Sequence, residues 1–325
     1  MSIKIGIIGL GHIGNYHIKA LEEFPELELA AVCDTNPQLK KIIPRQVVFY
    51  GKVENLFRDK NIETVIIATP NITHFDLGCK SLNFGKNVIM EKPAGTSFKE
   101  FKKLDSKFKK QKKNHIYYAF HAAKAPEVLW FKKYYEKNKK SLGPITSFMS
   151  NFYDPYFEKG KIKKEARGLQ NCWIDSGVNA LSVLSEITDL ELFKRERFST
   201  TVLKKPVNAV VQATAYFSFP VHGNDSSGTG SIDTNWSLGK NLKRTVLNFA
   251  FSGKSVELDH SQQKVILKNK KGTEKTVFDF SSKGNRLYNH YLEIFKDYLM
   301  CVHLNFFNSG QASKIYKILF TSFHD

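Results

Sequence analysis

IKIGIIGLGHIG, residues 3–14, decides the fold. Its first half is a near-continuous apolar run, the pattern of a strand covered on both faces. Glycines at 9, 11 and 14 then give GxGxxG where the run ends and a helical pattern begins. Gly9 permits a tight turn, Gly11 lets the backbone approach a pyrophosphate, and Gly14 lets helix and strand pack closely. His12 and Ile13 open the helix, whose free N–H groups and positive dipole end suit phosphates. Asp34 closes the next strand, LELAAVCD (27–34), where a carboxylate accepts hydrogen bonds from ribose hydroxyls. That carboxylate repels a 2′-phosphate. NAD is therefore the preferred cofactor, and Lys40 and Lys41 nearby leave NADP open.

Outward from this turn, short apolar strands alternate with helices as far as residue 121. VVFY (47–50), TVIIATP (64–70), NVIMEKP (87–93) and HIYYAFH (115–121) continue the set. Such β-α-β alternation predicts a parallel, doubly wound sheet. After residue 121 a helix over 125–140 leads into ITSFMSNFY (145–153), and from Ala209 six segments read as successive strands. Turn signals at HGNDSSGTG (222–230) and NKKGTE (269–274) separate some of them, so hairpins are expected. The chain therefore divides into a dinucleotide-binding domain over 1–121 and a second α/β domain over 122–325.

At 325 residues, 42% hydrophobic and 25% charged, the chain reads as an ordinary globular protein with a substantial core. No apolar run approaches the roughly 20 residues of a membrane span. Nor does the N-terminus resemble a leader. Cys33, Cys79, Cys172 and Cys301 are widely spaced and form no CxxC, so free thiols and a cytoplasmic setting are expected, with no metal site. The net charge of +18 raises the question of nucleic-acid binding, but only seven of the 49 basic residues are arginine. The densest run, FKEFKKLDSKFKKQKK (98–113), spaces its apolar residues as one face of a helix, leaving its lysines solvated. No nucleic-acid partner and no membrane are expected.

Three further stretches carry chemistry. ATPN (68–71) ends a strand at the carboxyl edge, where open α/β sheets bind ligands. Thr69, Pro70, Asn71 and the following His74 are candidates for the nicotinamide side, helix-start packing being the competing reading for His74. EKP (91–93) ends the next strand at the same edge. A lysine there is costly to bury charged, so Lys92 is expected to have a depressed pKa and to accept a hydroxyl proton. Pro93 restricts Lys92 to extended geometry, with Glu91 beside it. WIDSGVNALSVL (173–184) sets Asp175 and Asn179 four residues apart where a helix starts, for capping or for substrate.

GLGHIGNYH (9–17), ATPNITH (68–74), VIMEKP (88–93) and WIDSGVNAL (173–181), in this order and spacing, resemble the Gfo/Idh/MocA oxidoreductases. The resemblance spans the chain. It implies a Rossmann domain followed by an α/β domain with a large open, mainly antiparallel sheet. It also implies NAD(P)-dependent hydride transfer on sugars, inositols and related alcohols, with Lys92 as the catalytic lysine. Most members carry a histidine where this chain has Asn179. DxGxNAL is similar to the branch of galactose and arabinose 1-dehydrogenases, which oxidise sugar C1 to a lactone. There Asn179 would orient the sugar, while Asp175 hydrogen-bonds a hydroxyl or supports Lys92. FHAAKAPEV (120–128) is similar to the same branch, where the matching His121 helps hold the sugar.

The likeness weakens where that branch has WHPG, since this chain has FEKG (157–160). Asp154 keeps one carboxylate contact, and Trp236 in DTNW (233–236) is a pocket residue or simple sheet packing. Oxidation at another carbon, a different sugar, an inositol or a carbonyl substrate, or a silent sugar or NAD sensor remain the alternative readings. Alternating apolar residues from Val210 onward suggest that another subunit covers the open sheet, giving a homodimer or homotetramer.

Overall fold

Parallel sheets bury both faces of their strands, and the largely apolar strands of the first 120 residues form such a sheet. They are β1 (Ile3–Ile8), β2 (Leu27–Cys33), β3 (Val48–Tyr50), β4 (Thr64–Ile67), β5 (Asn87–Glu91) and β6 (Ile116–Ala119). All pair in parallel in the order β3-β2-β1-β4-β5-β6. Helices α1 (His12–Leu21), α2 (Val53–Arg58), α3 (His74–Asn83) and α4 (Phe98–Gln111) make the crossovers. Sequence order reverses between β1 and β4, so ligands are expected beyond the carboxyl ends of these strands.

This computed structural model describes residues 2–111, 113–166, 168–203, 209–221 and 226–321. The chain divides into two units, Met1–Phe120 with Tyr291–Tyr316, and His121–His290 with Lys317–Asp325. The boundary near residue 121 lies where the strand pattern changes. The tail differs from the expected continuous second domain, because α7 (Arg286–Leu304) and α8 (Ser309–Thr321) return most of their length to the first unit. Their aromatic residues explain the return. Tyr291 and Phe295 pack on His17 of α1, and the Tyr316 hydroxyl accepts the Ala94 N–H at 3.1 Å. Asn308 exchanges hydrogen bonds with the backbone of Tyr118.

The second unit begins with α5 (Pro126–Leu142) and β7 (Ile145–Tyr153). A two-stranded hairpin follows, β8 (Phe157–Glu158) with β9 (Lys161–Ile162), and then α6 (Val178–Ile187). Next come β10 (Lys194–Leu203), β11 (Ala209–Pro220), β12 (Ser227–Asn235), β13 (Leu242–Phe249), β14 (Ser255–Asp259), β15 (Lys264–Lys268) and β16 (Glu274–Asp279). Eight strands form one sheet, β10-β11-β12-β7-β13-β14-β15-β16, antiparallel except where β12 meets β7. Helices α5 and α6 pack on its inner face.

Two expectations change here. Strand β10, KRERFSTTVL, is an edge strand too polar to show an apolar alternation. The alternation from Val210 also runs opposite to the expected sense. Ala209, Val211, Ala213, Ala215, Phe217 and Phe219 are buried, leaving Val210, Gln212, Thr214, Tyr216 and Ser218 on the open face. The turn expected from residue 222 starts in 222–225, outside the described residues.

Candidate dinucleotide and substrate sites

In the first unit, the phosphate turn follows from what each glycine touches. Gly9 has φ +94°, and a Cβ there would meet the Ala68 carbonyl oxygen at 2.6 Å. A Cβ on Gly14 would lie 2.1 Å from the Gly9 carbonyl oxygen, so α1 packs against its own turn. Gly11 differs: a Cβ there meets nothing within 4 Å, and φ −69° is open to any residue. Its lack of a side chain serves something other than the fold.

The open side of the turn bears the start of α1, where no side chain caps the helix and no acidic residue sits in the first turn. His12 is exposed and Ile13 half-buried. Asp34 binds the turn directly, its Oδ2 accepting the Leu10 N–H at 2.8 Å and its Oδ1 the Asn36 N–H at 2.9 Å. Asn71, 5% exposed, keeps its side-chain Nδ2 buried without a hydrogen-bond acceptor. A buried donor without a partner costs about 1–3 kcal/mol. The uncapped helix start, the open space at Gly11 and this donor all fit a dinucleotide. Gly9, Gly11, Gly14, Asp34 and Thr69 to Asn71 are the residues that would hold it. When bound, the nicotinamide supplies a hydride acceptor.

Gly11→Ala tests that fit. Its melting temperature is expected to match the parent, while the dissociation constant for NAD, measured by calorimetry, rises about tenfold or more. An unchanged dissociation constant would remove Gly11 from the site.

Two expected cofactor contacts turn inward instead. His74 is 1% exposed, and its ring bridges two loops: Nδ1 lies 2.7 Å from the Pro93 carbonyl oxygen and Nε2 2.7 Å from that of Thr69. Burial pushes its pKa down, opposed by these two carbonyls. A neutral imidazole donates to only one of them. His74 therefore ties the end of β4 to the end of β5, as the packing reading requires. Glu91, also buried, accepts the Tyr291 hydroxyl at 2.8 Å on Oε1, which also pairs with His17 Nε2 at 2.8 Å. Its Oε2 accepts the Lys92 N–H at 3.3 Å. Burial, then the Glu91 charge, pushes the Tyr291 phenol well up, so it stays a donor. Lys92 follows β5 at the carboxyl edge, half-buried, with a cis peptide to Pro93.

In the second unit, Asp175 lies in a π-helical turn, Trp173–Gly177, continuous with α6. At the start of the turn Asn171 Oδ1 accepts the Ile174 N–H at 2.9 Å, and Asp175 lies within the turn. Such π turns are rare and frequent at functional sites. A Cβ on Gly177 would meet the Trp173 ring at 2.9 Å, so the turn is packed tight. Asn179 Nδ2 donates to the Asp175 carbonyl at 3.3 Å.

Beside this turn stands Asp154, whose Oδ2 accepts the Ser176 hydroxyl at 3.0 Å and whose Oδ1 accepts Lys243 Nζ at 2.6 Å. Sequence reasoning missed Lys243. Its signal was there: Lys243, Thr245, Leu247 and Phe249 share the buried face of β13, so a lysine occupies a core position. Burial pushes its pKa down, while Asp154 and, more weakly, Asp175 push it up. Cys172, at the foot of the turn, is a free buried thiol pushed up to about 12 by burial.

Trp236 is fully buried, edge-on to Tyr156, with its indole N–H unpartnered. That placement is sheet packing in the first instance. His121 sits in a turn packed on α6, its Nδ1 3.2 Å from His290 Nδ1. Burial, then the charges of Arg286 and His121, holds His290 well below the usual histidine range. Among the described residues, no His, Cys, Asp and Glu group is arranged to hold a metal ion, and no helix is long and apolar enough to cross a membrane.

A parallel sheet in this strand order, with an open glycine turn and an acidic strand end, defines a dinucleotide-binding domain of the Rossmann class. Residues 3–119 match the Gfo/Idh/MocA family model, described as an oxidoreductase family with an NAD-binding Rossmann fold. Over 135 residues, 40% of this chain and 39% of the relative, it is 29% identical to the inositol 2-dehydrogenase/D-chiro-inositol 3-dehydrogenase of Lactiplantibacillus plantarum. Over 162 residues, 46% of this chain and 41% of the relative, it is 28% identical to the levoglucosan dehydrogenase of Pseudarthrobacter phenanthrenivorans. The chain thus matches less than half the length of these curated relatives. In fold the likeness is wider. A solved levoglucosan dehydrogenase in complex with NADH superposes with TM-score 0.82 at 16% identity, over 99% of this chain and 95% of that one.

Proposed function

We propose that this protein is an NAD(P)-dependent dehydrogenase that oxidises a CH–OH group of a sugar, with Lys92 taking the hydroxyl proton. The observation that carries the reading is the placement of Lys92. It stands at the end of β5, on the same carboxyl edge as the Gly9–Gly14 turn, and Glu91 secures the strand end beneath it. A base on that edge is what alcohol oxidation beside a nicotinamide requires. Asp34 favours NAD over NADP, since its carboxylate would repel a 2′-phosphate.

Asp154, Asp175 and Asn179 are read as the groups that hydrogen-bond the sugar, with His121 beside them. In detail we infer an aldose 1-dehydrogenase, because Asn179 stands where most of the resembling enzymes have histidine. A hemiacetal hydroxyl is more acidic than an ordinary alcohol, so one lysine suffices as its base. The second reading is a dehydrogenase of an inositol or another sugar, favoured by the activities named for the relatives. A homo-oligomer is also inferred, closed over the sheet row in which Tyr216, Met149 and Val246 lie in register with Ser231.

Nicotinamide absorbance is the test, with NAD and NADP separately, against galactose, arabinose, fucose, xylose, glucose and myo-inositol. Reduction of NAD by one aldose, faster than with NADP and than with inositol, is the expected result. Reduction by inositol alone would transfer the assignment to the second reading. No reduction, with NAD still raising the melting temperature, would end the dehydrogenase reading.

A further inference from the structure

Lys243 occupies a place where a core residue belongs. It is 5% exposed on the inward face of β13, and its ammonium is spent on Asp154 Oδ1 at 2.6 Å, Asn241 Oδ1 at 2.6 Å and the Tyr153 carbonyl at 3.4 Å. Burying such a pair is costly, and apolar residues of the same volume often serve stability as well or better. Stability is therefore a poor reason for this lysine.

What the lysine does to Asp154 is a better one. Lys243 ties one carboxylate oxygen, Ser176 ties the other at 3.0 Å, and the Asp154 N–H donates to the Asn235 carbonyl at 3.0 Å. Ser176 comes from the same π turn as Asp175. The carboxylate is thus fixed in its plane with one donor per oxygen, while each oxygen can accept a second. Two such acceptor positions side by side match two hydroxyls on adjacent carbons. The surroundings hold two carboxylates, Asp154 and Asp175, and two cations, Lys243 and Arg286.

We propose that Lys243 is a positioning residue that acts through Asp154, presenting its carboxylate to a pair of adjacent hydroxyls on a neutral polyol. The proposal rests on the dehydrogenase reading for its substrate and adds to it the residue that prepares the sugar contact. A charge-assisted hydrogen bond to each hydroxyl then forms without reorganising the site.

The test uses Lys243→Met, Asp154→Asn and the double variant, with NAD and the best aldose of the panel. Lys243→Met is expected to raise KM for the sugar about tenfold or more, with kcat within a few-fold. It also lowers the melting temperature, because Asp154 is left buried and unpaired. Removing both charges restores the melting temperature and leaves KM high. A double variant with wild-type KM would overturn the proposal, since the pair would then be structural only. Should the wild type reduce neither NAD nor NADP with any polyol, the dehydrogenase reading fails by itself. The proposal is then decided by the melting shift that 100-fold excesses of galactose or myo-inositol over protein induce. A shift present in wild type and lost in Lys243→Met upholds it, and no shift in wild type overturns it.

Discussion

Lys92→Ala is expected to slow NAD reduction by about 10²–10⁴-fold, the usual contribution of a positioned general base. Affinity for NAD should stay within a few-fold of the parent. The reasoning is local. Tyr291 and His17 hold Glu91, and Glu91 takes the Lys92 backbone N–H, so the strand end keeps its shape when the lysine side chain is cut away. The half-buried side chain is removed and the scaffold stays. Steady-state absorbance for turnover and an NAD titration for binding separate the two effects. Turnover within tenfold of wild type would take the base role away from Lys92.

The second large effect is structural in origin. Gly14→Ala forces a methyl to within 2.1 Å of the Gly9 carbonyl oxygen, and a backbone atom cannot swing aside as a side chain tip can. Overpacking against a rigid neighbour costs about 3 kcal/mol, with the turn and α1 driven apart. NAD binding is expected to disappear with the geometry of the turn. Urea unfolding and NAD titration report the two losses. An alanine variant with the parent's unfolding midpoint would mean that helix and turn sit further apart than this contact requires. Gly11→Ala, three residues away, should show the opposite split of intact fold and weakened cofactor.

Much of the fold was legible in the chain itself. Strands β1, β2, β4 and β5 are mainly apolar, and their carboxyl-end halves are buried, so each announces itself and its carboxyl-end residues together. Gly9, Asp34, Asn71 and Lys92 could be placed on one edge from the strand pattern alone. Contacts made across the fold could not. Nothing near Glu91 in sequence says that Tyr291 will take its carboxylate, or that Pro93 and Thr69 will use both nitrogens of His74. Both residues therefore turned from cofactor contacts into braces. The π turn at Trp173–Gly177 has no period of its own and reads as an ordinary helix start. Lys243 was hidden for a different reason. In a chain with 42 lysines among its 49 basic residues, one more in a strand raises no question until its neighbours Thr245 and Leu247 are seen to face the core.

The return of Tyr291–Tyr316 to the first unit has a consequence for how the molecule is made. The cofactor-binding unit is interrupted by His121–His290 of its companion, so a ribosome delivers the six-stranded sheet long before the helices that finish it. Throughout that interval the nascent chain exposes the surfaces of α1 and β6 that α7 and α8 will cover, and Glu91 lacks the Tyr291 hydroxyl. Maturation of the NAD pocket is thus a late event in biosynthesis. A premature stop near residue 290 would damage a site whose every named residue had already been translated.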